Sequence, residues 1–223
     1  MAKILVLGAG SWGTAIAQLL ALNGNNVTMW DKFPEHLAAI ANSRENEKFL
    51  PGVKLPDSIN YESELTAAVN ANEILVFAIP TQYIRNILTN IDAEILLSKT
   101  IVNLAKGIEI STLKRISEIF IELAGNQILN NFCALTGPSH SEEVSQFKPA
   151  LLIAASVSDD CAKFVQRLFA NTYFRVYTNN DLIGAEIGGV VKNIIAIAAG
   201  VCDGLSLGDN ARVALITRGL AEI

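Results

Sequence analysis

Short apolar runs alternate with segments of helical period along most of this chain. The runs predict strands at Lys3–Gly8, Asn26–Trp30, Glu73–Ile79, Thr100–Ala105, Phe132–Thr136, Ala150–Ala155 and Phe174–Thr178. Between them, apolar positions three and four apart predict helices at Trp12–Asn23, Pro34–Ala41, Glu62–Asn70, Tyr83–Thr89, Thr112–Leu123, Glu142–Gln146 and Asp160–Ala170. Continuous apolar strands separated by helices specify an α/β fold whose mostly parallel sheet is covered on both faces. The pattern changes near Thr178–Asp181. From Asp181 to Gly204 the chain is rich in Gly, Ala, Ile and Val, and a second helical pattern follows from Asn210 to Ile223. The expected division is a domain over residues 1–179 and the first helices of a second, incomplete domain over residues 180–223.

The first predicted strand runs into Gly8-Ala9-Gly10-Ser11-Trp12-Gly13, and Asp31 closes the second. A strand, a glycine loop and a helix in that order form the opening of a dinucleotide-binding unit. Gly8 suits the tight turn, Gly10 lets a pyrophosphate approach the main chain, and Gly13 lets the helix pack close to the strand. The helix N-terminus then offers N–H groups to the phosphates. The expected architecture is therefore a Rossmann-like, doubly wound sheet followed by the start of an all-helical domain. An acidic residue where Asp31 stands accepts from the adenine ribose and favours NAD, whereas a basic neighbour such as Lys32 holds a 2′-phosphate and favours NADP. Both are present, so the sequence leaves the choice open.

Composition narrows the class. Of 223 residues, 51% are apolar, enough for a sizeable core. The apolar stretches are short, so no membrane-spanning segment is expected, and the start Met1-Ala2-Lys3 lacks the features of a secretory signal. Cys133, Cys161 and Cys202 are odd in number and lie in apolar stretches. They read as reduced core thiols of a cytoplasmic protein, not as a disulfide frame or zinc site. A net charge of −5 without a basic cluster argues against a nucleic-acid partner.

Three further segments carry candidate chemistry. Lys106 follows a predicted strand, at the edge where parallel sheets bind ligands. Gly137-Pro138-Ser139-His140-Ser141-Glu142 follows another. There Ser139 and Glu142 have the spacing of a capping box, and the N–H groups of Gly137 and Ser139 are available to a ligand. Adjacent Ser139 and His140 cannot form a hydrolase relay, and the Gly-x-Ser-x-Gly turn is missing; His140 and His36 read as ordinary surface histidines. Lys192 lies in an otherwise apolar helix, with Ala185, Gly188, Gly189, Ala196 and Ala199 at helical spacing around it. Small neighbours leave a groove, so Lys192 is expected to be partly desolvated and able to donate a proton. Asn193 adds a neutral donor beside it. No metal-ligand spacing is present.

Taken together, Gly8–Ala15, Lys106-Gly107-Ile108-Glu109, Gly137-Pro138-Ser139, Glu186–Gly200 and Gly208–Glu222 resemble the bacterial NAD(P)-dependent glycerol-3-phosphate dehydrogenases. The resemblance implies reduction of dihydroxyacetone phosphate to sn-glycerol 3-phosphate, the backbone of membrane phospholipids, with NAD(H) or NADP(H) as cofactor. It implies that Ser11 and Trp12 lie on the pyrophosphate, and that Lys32, Phe33, Phe49 and Ser141 contact the cofactor. Lys106 then approaches both cofactor and substrate, Gly137, Ser139 and Asn193 contact substrate, and Lys192 transfers the proton. Family members run on through further helices that carry an aspartate and an Arg-Asn pair for the substrate phosphate, so the chain is expected to be a fragment. Two other readings follow: a cofactor-binding fragment without turnover, and a related dehydrogenase of a hydroxyacid. Uncovered helix faces would permit association, a homodimer included.

Overall fold

The structure is a computed structural model that describes residues 1–222. The chain opens with β1 (Lys3–Leu7), α1 (Ser11–Leu22), β2 (Asn26–Trp30) and α2 (Pro34–Ser43). Three short strands follow, β3 (Glu45–Asn46), β4 (Leu50–Lys54) and β5 (Asn60–Tyr61), then α3 (Leu65–Ala71), β6 (Ile74–Phe77), α4 (Thr81–Leu88), α5 (Ala93–Leu97) and β7 (Thr100–Asn103). Beyond α6 (Ile116–Ala124) and a 3₁₀ turn at Asn126–Asn131 come β8 (Phe132–Thr136), α7 (Ser141–Ser145), β9 (Ala150–Ala155), α8 (Asp159–Phe169) and β10 (Phe174–Asn179). Two helices close the described chain, α9 (Leu182–Gly204) and α10 (Asp209–Glu222).

Eight strands form one sheet in the order β10-β9-β8-β7-β6-β1-β2-β5. Alternate residues of each central strand feed two cores. Ile4, Val6, Val76 and Val102 face α1 and α8 through Ile16, Leu20, Val165 and Phe169. Leu5, Leu7, Leu75 and Phe77 face α3 to α6 through Val69, Ile84, Leu96 and Phe120. Each such side chain contributes about 1.5–3 kcal/mol by leaving water. This two-sided burial is why the strands read as unbroken apolar runs.

All pairings in this sheet are parallel except β8 with β9. The link between those two holds only the five-residue α7, too little for a crossover helix that would return the chain parallel. The 11-residue α8 then permits a parallel return to β10. The order reverses at β1: β2 lies on one side of it and β6 on the other. A crevice opens at such a reversal beyond the carboxyl ends of the strands.

One expectation needs correction here. Ser139 does not cap α7. His140 holds that position without a side-chain bond, and the Ser139 hydroxyl turns back to the Gly137 carbonyl at 3.4 Å. The capping geometry fails because the helix begins two residues after Ser139. By length and composition α9, with 23 residues and mean hydropathy 1.7, could cross a membrane. Its first turns are instead fastened to the sheet domain: Leu182 enters a core, and Glu186 bonds to Arg115 and Ser117.

Candidate functional site

The glycine loop fills the mouth of the crevice, and its three glycines have different duties. Gly8 has φ +107°, and a Cβ there would lie 2.7 Å from the Ala78 carbonyl oxygen on the turn after β6. A Cβ on Gly13 would lie 2.0 Å from the Gly8 oxygen, so α1 can start only with glycine at that point. Gly10 has nothing within 4 Å of its missing Cβ and caps α1 without a side-chain acceptor. The open flank of Gly10 beside the first turn of α1 fits a dinucleotide pyrophosphate.

The Ala9 peptide between them is held from both sides. Its N–H donates to Asp31 Oδ2 at 2.7 Å, and its carbonyl accepts from Asn46 Nδ2 at 2.9 Å and from His36 Nε2 at 3.1 Å. Asn46 Nδ2 also donates to Thr14 Oγ1 at 2.7 Å, and that hydroxyl donates to the Gly10 carbonyl at 2.8 Å. Asp31 Oδ1 accepts from the Phe33 N–H at 3.0 Å. Asp31 thus ties the loop to the end of β2, a duty the sequence reading did not give it.

Around this loop lies a cleft of about 970 Å³. Of the residues singled out from sequence, Gly8, Gly10, Ser11, Trp12, Asp31, Lys32, Phe33, Phe49, Lys106, Ser139 and Ser141 line it. Gly13 sits behind the loop as a packing residue. Residues not anticipated also line it: Ile79, Pro80 and Tyr83 form an apolar stretch, Lys48 stands over the Phe49 ring, and His36 meets the same ring edge-on at 5.2 Å. His36 is therefore part of the loop's support and no ordinary surface histidine. The start of α2 at Pro34, which puts residue 36 in the first helical turn, was the available signal. His140 is exposed at the cleft.

On the β7 side the cleft ends at Lys106, whose backbone is anchored by α4. The Thr81 hydroxyl donates to the Lys106 carbonyl at 2.9 Å, and Gln82 bonds to Ile108 and Ile110 at 2.8 and 3.0 Å. Arg85 grips the buried Glu109 through two bonds of 2.8 and 2.9 Å, and Thr112 donates to the same carboxylate. Arg85 holds the Glu109 carboxyl below the usual carboxylate range.

The Lys106 ammonium donates to the Gly137 carbonyl at 3.3 Å. A Cβ on Gly189 of α9 would stand 3.7 Å from Lys106 Cγ, so α9 lies over the lysine stem. Burial, and then the positive charge of Lys192, bring the Lys106 ammonium down to about 8. Lys192 is thus the charged neighbour of Lys106. The sequence reading assigned the desolvated amine to Lys192; the structure assigns it to Lys106, because Lys192 and Asn193 stand on an exposed part of α9 outside the cleft lining.

Comparisons with known proteins agree with this geometry. Residues 3–162 match the family model described as NAD-dependent glycerol-3-phosphate dehydrogenase N-terminus, and residues 181–223 match the corresponding C-terminus. The chain is 50% identical over its whole length to glycerol-3-phosphate dehydrogenase [NAD(P)+] of Geobacillus kaustophilus, covering 65% of that protein. It is 47% identical over 99% of its length to the enzyme of the same name from Prosthecochloris aestuarii, covering 66% of it. The crystal structure of glycerol-3-phosphate dehydrogenase from Coxiella burnetii superposes with a TM-score of 0.89 at 33% identity, with 99% of this chain and 67% of that one covered. The chain thus spans just under two thirds of the length of these curated relatives. Matched across the loop, the sheet and both final helices, this chain belongs to the NAD-dependent glycerol-3-phosphate dehydrogenase family.

Proposed function

We propose that the protein reduces dihydroxyacetone phosphate to sn-glycerol 3-phosphate with NADH or NADPH, in the cytoplasm, and so supplies the glycerol backbone of phospholipids. The observation that carries this reading is the continuous cleft from the open flank of Gly10 to Lys106. Residues 1–179 form the nucleotide domain in this reading, and residues 180–223 begin the substrate domain. The substrate is a small phosphorylated ketone; nucleic acid is not a partner, and a homodimer belongs to the same reading.

Ser11 and Trp12 flank the pyrophosphate path at the start of α1. Asp31, Lys32, Phe33 and Phe49 border the adenosine end, and Ser141 the nicotinamide end. The dinucleotide, when bound, supplies the hydride. Gly137, Ser139 and Asn193 orient the substrate. Negative charge grows on the ketone oxygen during reduction, and two amines at one place stabilise it. Lys192 passes the proton to that oxygen, and Lys106 stands beside it. Burial, and then the like charge of Lys192, favour release of the Lys106 proton near pH 8.

The test is Lys192→Ala. Cofactor affinity should persist, while consumption of reduced cofactor on adding dihydroxyacetone phosphate falls by about 10²–10⁴. Near-normal turnover in that variant would remove Lys192 from the chemistry. A second reading, a nucleotide-binding unit without turnover, draws support from the exposure of Lys192 and Asn193 on α9. Tight cofactor binding with no turnover in the parent chain would select it.

A further inference from the structure

Glu186 has no part in the chemistry above and does not line the cleft. Its side chain is nevertheless only 6% exposed. The carboxylate accepts from Arg115 Nη1 at 2.9 Å, from the Ser117 N–H at 2.9 Å and from the Ser117 hydroxyl at 2.6 Å. Ser117 lies in the first turn of α6. A residue of α9 thus supplies an acceptor for the start of a helix 69 positions away in sequence. A buried carboxylate held by three donors of fixed direction does more than neutralise charge: it fixes the rotation and height of the helix that carries it.

What α9 delivers on that anchor is specific. Three residues beyond Glu186, Gly189 lies over Thr136 and the stem of Lys106. Six residues beyond, roughly 9 Å along a helix axis, comes Lys192. We propose that Glu186 is a positioning residue: by gripping Arg115 and Ser117 it sets α9 on the sheet and so holds Lys192 beside Lys106. The proposal deepens the dehydrogenase reading and rests on it for the use of the amine pair, but its structural content is testable without turnover.

Lys106 is the reporter. Its ammonium faces Lys192 from α9 and the Gly137 carbonyl from the turn after β8, with Gly189 against its stem. The like charge that helps hold it near 8 comes from Lys192 of α9, and Gly189 of the same helix covers its stem. Glu186 itself faces Arg115 and Ser117, and Arg115 also pairs with Glu118 at 3.2 Å.

The experiment is a pH titration of ¹³C-methylated lysines by NMR in the parent chain, in Glu186→Gln and in Glu186→Ala, with Lys106→Arg to assign the signal. In the glutamine variant the Lys106 midpoint should rise by about one pH unit toward the ordinary lysine value, with circular dichroism and NADPH affinity unchanged. If Glu186→Ala does not fold, Glu186→Gln decides alone. An unmoved Lys106 midpoint in the folded variants would overturn the proposal and leave Glu186 as a cap for α6. A parent chain that binds no NADPH would count against the dehydrogenase reading, and the lysine titration would still report on Glu186.

Discussion

The carboxylate of Asp31 accepts the N–H of Ala9 at 2.7 Å, across the gap between the end of β2 and the glycine loop. Its other oxygen accepts the Phe33 N–H at 3.0 Å. Both oxygens of a residue placed to meet a ribose are thus engaged with the main chain before any ligand arrives. Asp31→Ala should therefore destabilise the free protein as well as weaken cofactor binding. A hydrogen bond to a charged group contributes about 1.5–3 kcal/mol, and urea denaturation should show a loss of that order. An unchanged urea midpoint with weakened NADH binding would show that Asp31 serves the ligand alone.

Gly10 and Gly13 should separate folding from binding. Gly13→Ala puts a methyl group 2.0 Å from a backbone oxygen, so α1 must move; a loss of about 3 kcal/mol or more is expected for such overpacking. Gly10→Ala meets nothing within 4 Å. Its melting temperature should match the parent, while NADPH affinity falls because the methyl group occupies the pyrophosphate path. Calorimetry on the two variants checks both, and equal melting temperatures would refute the packing account of Gly13.

Lys106 sets a pH dependence with two opposite signs. Its folded value, about 8, lies below that of an ordinary lysine through dehydration and the charge of Lys192. Between the two values the unfolded chain binds more protons than the folded one. Stability contributed by this group therefore rises with pH through that window, and its burden is full below it. The proposed reduction uses the Lys106 charge beside the growing oxyanion, so kcat/KM for dihydroxyacetone phosphate should decline as pH rises through about 8. A profile flat across that window would show that the Lys106 charge does not assist the reduction.

Arg85 and Glu109 hold the segment that carries Lys106. Arg85→Ala leaves a carboxylate that is 5% exposed without its partner, and the expected cost is about 3–5 kcal/mol in urea denaturation. Arg85 holds the Glu109 carboxyl below its ordinary range. The pair's contribution is thus present above the unfolded carboxylate value and is lost as pH falls through the folded one. The variant should also lose that acid-dependent limb; retaining it would assign the limb to other carboxylates.

The central strands, α1 and the glycine loop were legible in the sequence because each depends on neighbours close along the chain. Ile4 to Leu7 are buried on both sides, and such residues need no distant partner to be read. Strands β3 and β5 escaped because two residues carry no pattern, and β4 because Pro51 and Gly52 interrupt its apolar run. The antiparallel turn to β9 was hidden in the length of the link before it. Asn46 and Glu186 were invisible for another reason: their partners lie 37 and 69 positions away, and a polar residue gives no local sign of the acceptor or donor it will meet. Lys192 shares α9 with small residues, one of which, Gly189, lies over the stem of Lys106. Which amine would lose its water depended on how that helix sits over Lys106, and periodicity does not contain that information.

The peptide at Ala9 is braced by Asp31, His36 and Asn46, side chains from three successive stretches of chain. The nucleotide therefore meets a finished cradle, and little main-chain entropy remains to be lost when it docks. Free and loaded forms should superpose closely around residues 8–13, with association rates set by diffusion and charge, not by any rearrangement of the loop.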